Sequence, residues 1–325
     1  MQSVMPALSS ANSLLQPIIA FLGPLGSFSH QAAIECFGSA NNTLQPEVSF
    51  NDAFSAVQSQ EADYAIIPLE NSSNGAVVQT LDLLADRENL YPDITVSGEY
   101  YLTVHHCLLM KKAQDGSGNT SEANPEVSKF YSHPQVWGQC TKFLSEYKGV
   151  EKQDASSTSK AAEIVSKDND PKSAAIGSEL AGKLNNLEVI KANIEDDSSN
   201  ATRFLILQNL KSNRTQGVKP PQKSQSCSTP GSKCKSLISF MVDHTSPGAL
   251  ADALHVFKKY GLNLTSINSR PGGIQAWQYV FLVECQRVYG VHDDHVVDKV
   301  IKELEKITQT CRNLGSWEDQ LEDSS

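Results

Sequence analysis

Short apolar runs alternate with helix-period segments over the first two thirds of the chain. Ile18-Ile19-Ala20-Phe21-Leu22 is continuously apolar and stops at Gly23-Pro24, the pattern of a buried parallel strand leading into a loop. After Ser27 the period changes, because Ala32, Ala33, Cys36 and Phe37 share one helical face, with Ser27 or Ser29 placed to cap it. Residues 52–60 read as a helix and Tyr64-Ala65-Ile66-Ile67-Pro68 as the next strand. Residues 101–109 read as one long strand, residues 111–128 as a polar surface insertion, and Phe130-Tyr131-Ser132 as the start of another strand-to-helix unit. Further units follow at 153–166 and 174–184, and Phe204 to Leu207 closes the region as a strand. Repeated strand-then-helix order predicts an α/β layer fold.

Residues 211–235 break the rhythm. They carry Pro220, Pro221 and Pro230 and six basic residues with no acidic one, which is the composition of a solvated, flexible linker rather than of a binding patch. The pattern then resumes differently. Strands are expected at 237–242, 262–269, 276–284 and 311–317. One helix starts at Ser246-Pro247-Gly248, keeps Leu250, Leu254 and Phe257 on one side and stops at Gly261; a second spans 292–308 with Val296, Val300, Ile301 and Leu304 inward. Strand-helix-strand-strand-helix-strand is the α+β ferredoxin-like plan. From Gly315 onward the chain reads as a loose acidic tail. The expected divisions are 16–210, a linker at 211–235, 236–317, and a tail at 318–325.

A chain of 325 residues, 39% hydrophobic and 20% charged, has the size and composition of a multidomain globular protein. No apolar run approaches the ~20 residues of a membrane span. The net charge of −10 argues against nucleic acid or an anionic membrane as partner. The seven Cys are scattered without a Cys-x-x-Cys, which suggests neither a disulfide framework nor a zinc site and fits a reducing compartment. Residues 1–17 hold no Lys or Arg, so a targeting segment is not expected there and the cytoplasm is the default. The adjacent His105-His106-Cys107 would point to opposite faces of a strand, so no metal site is expected.

The candidate chemistry lies in five polar motifs. Asn200-Ala201-Thr202-Arg203-Phe204 sets a hydroxyl beside a guanidinium, a pairing suited to an anion. Pro68 to Gly75 contains Glu70, Asn71, Ser72 and Gly75; Gly23 to Gln31 contains Ser27 and Ser29; Ser132-His133-Pro134-Gln135 and Ser156-Ser157-Thr158 precede helical segments. No Lys or Arg precedes Arg87, so an anion bound by the first 86 residues must be held by backbone N–H groups, hydroxyls and helix N-termini.

Taken in order, these motifs resemble the prephenate dehydratase family of phenylalanine biosynthesis, from about Ile18 to about Trp317. The resemblance implies a two-lobed catalytic domain like type II periplasmic binding proteins, with the chain crossing between lobes near Tyr100 and returning near Val189. It implies decarboxylation and dehydration of prephenate to phenylpyruvate without metal or cofactor. Thr202 would supply the catalytic hydroxyl and Arg203 would hold a substrate carboxylate. Asn71 would contact substrate, Glu70 would order its turn or act as an acid, Gln135 would reach in from the second lobe, and Phe204 would pack the pocket wall. Ser27, Ser29, Ser72, Gly75, Ser132, His133, Ser157 and Thr158 would line the cleft. The C-terminal module resembles the ACT domain, an amino-acid sensor. Ser246-Pro247-Gly248-Ala249-Leu250 and Asn268-Ser269-Arg270-Pro271 match its phenylalanine-binding segments, with Asn268 where the family has Glu. A homodimer or homotetramer is implied. Arogenate as substrate, alone or besides prephenate, and a non-catalytic amino-acid sensor are the alternatives.

Overall fold

The computed structural model describes residues 16–40, 42–112, 125–214, 233–273, 275–287 and 295–321. Most of the expected insertion at 111–128 and linker at 211–235, the start of the helix expected from His292 and the last four residues of the tail lie outside the described residues.

A first lobe is built from β1 (Ile18–Leu22), α1 (Phe28–Phe37), β2 (Thr43–Glu47), α2 (Phe50–Gln58), β3 (Tyr64–Asn71), β4 (Gly75–Ala76), α3 (Val78–Ala85) and β5 (Ile94–Thr103). The second lobe holds β6 (Cys107–Lys111), β7 (Lys129–Ser132), α4 (Pro134–Gln139), α5 (Thr141–Leu144), β8 (Glu151–Asp154), α6 (Thr158–Lys167), β9 (Ser173–Gly177), α7 (Glu179–Leu184) and β10 (Leu187–Lys191). The chain returns to the first lobe as β11 (Ala201–Asn209). A C-terminal module follows as β12 (Cys234–Met241), α8 (Ala249–Lys259), β13 (Leu262–Pro271), β14 (Tyr279–Arg287), α9 (Val296–Leu304) and β15 (Thr310–Glu318).

Three sheets carry these elements. The first runs β2-β1-β3-β11-β5, with β1 parallel to β2 and β3, and β11 antiparallel to both its neighbours. The second runs β10-β6-β9-β7-β8. The third, β13-β14-β12-β15, is antiparallel throughout and has the ferredoxin-like strand order. The helices begin where the sequence supplies a cap: Ser27, Ser49, Ser157 and Ser178 each accept a hydrogen bond from the backbone N–H three residues on.

The long strand expected over residues 101–109 is two strands in different sheets. β5 ends at Thr103 and β6 begins at Cys107, so residues 104–106 are the crossing between lobes, slightly later than expected. The break falls at Val104-His105-His106, so the polar His pair between two apolar stretches was its one mark in the sequence. The return falls between Lys191 and Ala201.

The first sheet is buried on both faces. On one, α1 packs with Phe21, Tyr64, Ile66, Leu102, Phe204 and Ile206. On the other, α2 and α3 share a core with Leu205, Leu207 and four residues of the C-terminal module, Leu237, Leu282, Leu314 and Trp317. The module therefore keeps its helices on one side of its sheet and spends the other side on the first lobe. Polar contacts fix this docking. Thr95 Oγ1 donates to the Leu314 carbonyl at 3.0 Å, Arg270 forks onto Asp82 at 2.8 and 3.0 Å, and Arg312 reaches Asp86 at 3.1 Å. The tail is correspondingly not loose as far as it is described: Trp317 is buried, and Asp319 pairs with Lys235 at 2.8 Å. Lys235, expected as the last linker residue, is buried within β12. Cys234 beside it is disulfide-bonded, although the scattered Cys suggested no disulfide framework.

The two lobes meet along the loop after β1. Ser159 at the start of α6 donates to the Leu25 carbonyl at 2.5 Å, and Ser178, the cap of α7, donates to the Gly26 carbonyl at 3.1 Å. Gly26 has φ +83°, and a Cβ there would stand 2.9 Å from Ser159 Oγ and 3.1 Å from the Ala181 backbone. Phe28 meets the His106 ring edge-on at 5.6 Å.

Two predictions follow from these seams. Gly315 has φ +133°, and a Cβ would lie 2.1 Å from the Val96 carbonyl oxygen. Gly315→Ala is expected to destabilise the protein by about 3 kcal/mol, read as a lowered midpoint in urea unfolding. His106 is buried with Nε2 on Gln139 at 2.8 Å, and burial holds its pKa below the ordinary 6.5, against the opposing pulls of Gln139 and the Glu195 charge. The unfolded imidazole therefore takes up a proton before the folded one. Stability is complete above pH 6.5 and falls as pH is lowered from there toward the depressed folded value, in proportion to the extra protons bound by the unfolded chain. His106→Gln should flatten that slope in urea unfolding followed between pH 7 and 5.

Candidate functional site

Because β3 and β11 are antiparallel, the end of one meets the start of the other: Asn71 stands opposite Thr202 and Glu70 opposite Arg203. Asn71 is locked at both ends of its amide. Its Oδ1 accepts from the backbone N–H of Ser73 (3.0 Å) and Asn74 (2.9 Å), which assigns the other end as Nδ2. That Nδ2 lies 2.8 Å from Asn200 Oδ1, 3.1 Å from Thr202 Oγ1 and 3.2 Å from the Ala201 carbonyl. Thr202 thus accepts from Asn71, so its own hydroxyl proton points elsewhere and is polarised by the bond it receives.

Asn200 ties the two strand ends together, and the sequence reading assigned it no role. It is 2% exposed, and its Oδ1 accepts from Asn71, from Ser72 Oγ at 3.3 Å and from Ser73 Oγ at 3.4 Å. Ser72 Oγ in turn accepts from the Ala201 N–H at 2.9 Å. The signal was present as an Asn at the very start of a strand, facing an Asn-Ser-Ser turn. Gly75, with φ +77°, closes that turn, and a Cβ there would meet nothing within 4 Å.

Arg203 stands elsewhere than expected. Successive residues of a strand face opposite sides of the sheet, so a guanidinium cannot join the hydroxyl of the residue before it. Arg203 is 5% exposed and is directed toward the C-terminal module. Nε donates to Glu99 at 2.8 Å, Nη1 to Glu70 at 2.9 Å, and Nη2 to Glu284 of β14. Glu99 also takes Lys235 Nζ at 3.1 Å and the Gln320 N–H at 2.9 Å. Burial works against the charge on Arg203, but Glu99 and Glu284 outweigh it and the pKa is raised. Lys235 is raised in the same way, chiefly by Glu99 against its own burial. The guanidinium is therefore committed to protein carboxylates, and Glu70 with it. Phe204 is part of the first lobe's core rather than a pocket wall. Glu99, Glu284 and Lys235 escaped notice, although a charge in the middle of an apolar strand such as Tyr279-Val280-Phe281-Leu282-Val283-Glu284-Cys285 is itself a signal of a buried pair.

The remaining expected residues fall into two groups. Ser27 and Ser132 have structural partners: Ser27 caps α1 and donates to the Leu22 carbonyl at 3.1 Å, while Ser132 is fully buried and donates to the Ile176 carbonyl at 2.7 Å. Ser29 is buried on α1. His133, Gln135, Ser157 and Thr158 stand where the strands of the second lobe end and its helices begin, His133 and Ser157 as the caps of α4 and α6. These are the carboxyl ends of parallel β7 and β8, as the Gly23–Ser27 loop and Asn71 are the carboxyl ends of parallel β1 and β3, the edge at which open α/β sheets bind ligands. In the module, Pro247, Gly248, Ala249 and Leu250 form the entry to α8, with Gly248 at φ +87°. Asn268, Ser269 and Arg270 lie on edge strand β13, where Arg270 is engaged by Asp82 and Asn268 Nδ2 donates to Ser266 Oγ at 3.0 Å.

Comparison with known proteins identifies the domain that carries these residues. A family model described as prephenate dehydratase matches residues 19–212. A bifunctional chorismate mutase/prephenate dehydratase of Aquifex aeolicus is 35% identical over 93% of this chain and 74% of its own length. A probable prephenate dehydratase of Saccharomyces cerevisiae is 34% identical over 82% of this chain and 86% of its own. The crystal structure of prephenate dehydratase from Arthrobacter aurescens, in complex with L-Phe, superposes with a TM-score of 0.73 at 26% identity, covering 92% of this chain and 89% of that one. The Asn71–Thr202 pairing thus sits inside a matched domain, and the chain belongs to the prephenate dehydratase family.

Proposed function

We propose that Thr202, presented by Asn71, is the group that meets the departing hydroxyl as prephenate becomes phenylpyruvate, carbon dioxide and water. The observation that carries this reading is the 3.1 Å contact from Asn71 Nδ2 to Thr202 Oγ1, which leaves the threonine proton free to donate. In the reaction the bond to the ring carboxylate breaks, its electron pair completes the aromatic ring, and the ring C–O bond breaks with the hydroxyl taking its pair. The hydroxyl leaves as water once it gains a proton. A threonine hydroxyl is a weak acid, so its part is to donate a hydrogen bond that strengthens as charge develops on the leaving oxygen. Asn71 and Asn200 hold that donor in place before substrate arrives. With Arg203 committed elsewhere, we assign the substrate's carboxylates to neutral donors: the first N–H groups of α6 with Ser157 and Thr158, and Gln135 and His133 of the second lobe.

The same proposal takes the C-terminal module as an ACT domain that binds L-phenylalanine at Gly248–Leu250 and Asn268–Arg270 and lowers activity. It takes the working form as a homodimer or homotetramer in the cytoplasm. The module's ferredoxin-like strand order and the L-Phe complex of the Arthrobacter aurescens relative support the first part.

Turnover of the purified protein on prephenate and on arogenate, followed by phenylpyruvate and phenylalanine formation, tests the reading. Thr202→Ala is expected to lower kcat by about 10²- to 10⁴-fold with the fold intact. Phenylalanine from arogenate and no phenylpyruvate from prephenate would transfer the same mechanism to the amino substrate. Asn71→Ala should cost about tenfold in kcat, the worth of one orienting hydrogen bond. Arg203→Ala should instead show itself in stability, by about 3–5 kcal/mol in urea unfolding, because it leaves buried carboxylates facing one another.

A further inference from the structure

The catalytic strand is held from outside its own lobe. Of the three carboxylates on Arg203, Glu70 and Glu99 come from β3 and β5, which flank β11 and belong to the same sheet. Glu284 comes from β14 of the C-terminal module. It is 3% exposed and occupied on both oxygens: Oε2 receives Arg203, and Oε1 accepts from Thr265 Oγ1 of β13 at 2.6 Å. The module contributes a second clamp in Lys235, which joins Glu99 to Asp319.

The place where this clamp grips β11 is also where its neighbour β3 is bulged. Pairing with β3 slips by one residue between Arg203 and Phe204: Arg203 pairs with Glu70, Phe204 with Pro68, and Leu69 is passed over. The extra residue belongs to β3, so the bulge bends β3 and re-aims Glu70 and Asn71 beside it, while β11 stays in regular register with β5 there. Asn71, two residues beyond Leu69 on β3, is the residue that pairs with Thr202, and with Asn200 it holds the hydroxyl there. The guanidinium of Arg203 thus ties Glu70, at the bulge, to Glu284 of the module on one face of the sheet. It points into the module while its neighbour points to the opposite face.

We propose that Glu284 is a positioning residue for the dehydratase reaction, fixing the bulge of β3 at Leu69 through Arg203 and Glu70 so that Asn71 presents Thr202 to the leaving hydroxyl in register. Glu284 touches no substrate. It acts across the domain seam, and Thr265 acts through it. The inference rests on the assignment of Thr202 as hydrogen-bond donor to the leaving group.

A double-mutant cycle on the full chain tests it. Glu284→Gln keeps the shape and removes the charge that orients the guanidinium. It is expected to lower kcat on prephenate by about tenfold while KM stays within about twofold, since alignment in the transition state is lost and binding is not. In a Thr202→Ala background the same change should alter kcat by less than about twofold, because the positioned hydroxyl is already gone. Glu284→Asp, which keeps the charge, should recover part of the rate. If Glu284→Gln yields no folded protein, Thr265→Val replaces it: every charge stays and only one Glu284 oxygen is loosened, with a loss of about threefold that again vanishes without the Thr202 hydroxyl. Wild-type kcat in Glu284→Gln or Thr265→Val, or an equal loss with and without that hydroxyl, overturns the proposal. Full turnover by Thr202→Ala alone marks the other failure, that of the donor assignment.

Discussion

Strand β11 is hydrogen-bonded along both edges, to β3 and to β5, and this pairing removes its freedom to rotate. The two-residue period of a strand then dictates the rest. Thr202 and Phe204 take one face of the sheet, while Arg203, Leu205 and Leu207 take the other. The first face leads to α1 and the second to the C-terminal module. The Thr202 hydroxyl and the Arg203 guanidinium, neighbours in sequence, can serve different parts of the molecule only because the sheet keeps them apart in space.

The two lobes solve a related problem with few charges. The loop after β1 sets its carbonyls against the hydroxyls of Ser159 and Ser178, at the starts of α6 and α7. Gly26 is needed there because no other residue fits both the left-handed backbone and the approach to Ala181. Helix starts of the second lobe and strand ends of both lobes are thereby gathered along one seam. Cationic side chains are concentrated instead in the buried cluster behind β11, where Arg203 and Lys235 answer Glu99, Glu284 and Asp319.

Local structure was well marked along the chain. Apolar runs ending in Gly-Pro or Pro gave β1 and β3, serine caps gave α1 and α6, and the strand-helix rhythm of the last third matches β12 to β15 with α8 and α9 between them. Asn71 and Thr202 were legible as a pair because their motifs carry the family resemblance. What could not be read was direction across the sheet and partnership at long range. Arg203 looked like a ligand for substrate because adjacency in sequence suggests adjacency in space, which a strand denies. Glu284 and Lys235 lie in segments whose periodicity names a strand but not its neighbour. The break at residues 104–106 was marked only by His105-His106, a polar pair that a single strand would also accommodate by turning the two rings to opposite faces. Cys234 could not be paired from spacing, and Asn200 gave only the weak signal of an amide at a strand start.

The shared core has a consequence for how such a chain can be cut or recombined. Composition marks residues 211–235 as the border between two parts, but energetically the border runs through the middle of a salt-bridge cluster and an apolar layer. A fragment ending before β12 would strip Leu237, Leu282, Leu314 and Trp317 from the core they share with Leu205 and Leu207, and would take Glu284 from Arg203 and both Lys235 and the Gln320 N–H from Glu99. A foreign module grafted after Leu210 would have to bring its own carboxylate at the position of Glu284 and its own ammonium at that of Lys235. The unit that can be inherited, swapped or truncated is therefore larger than the unit that performs the chemistry.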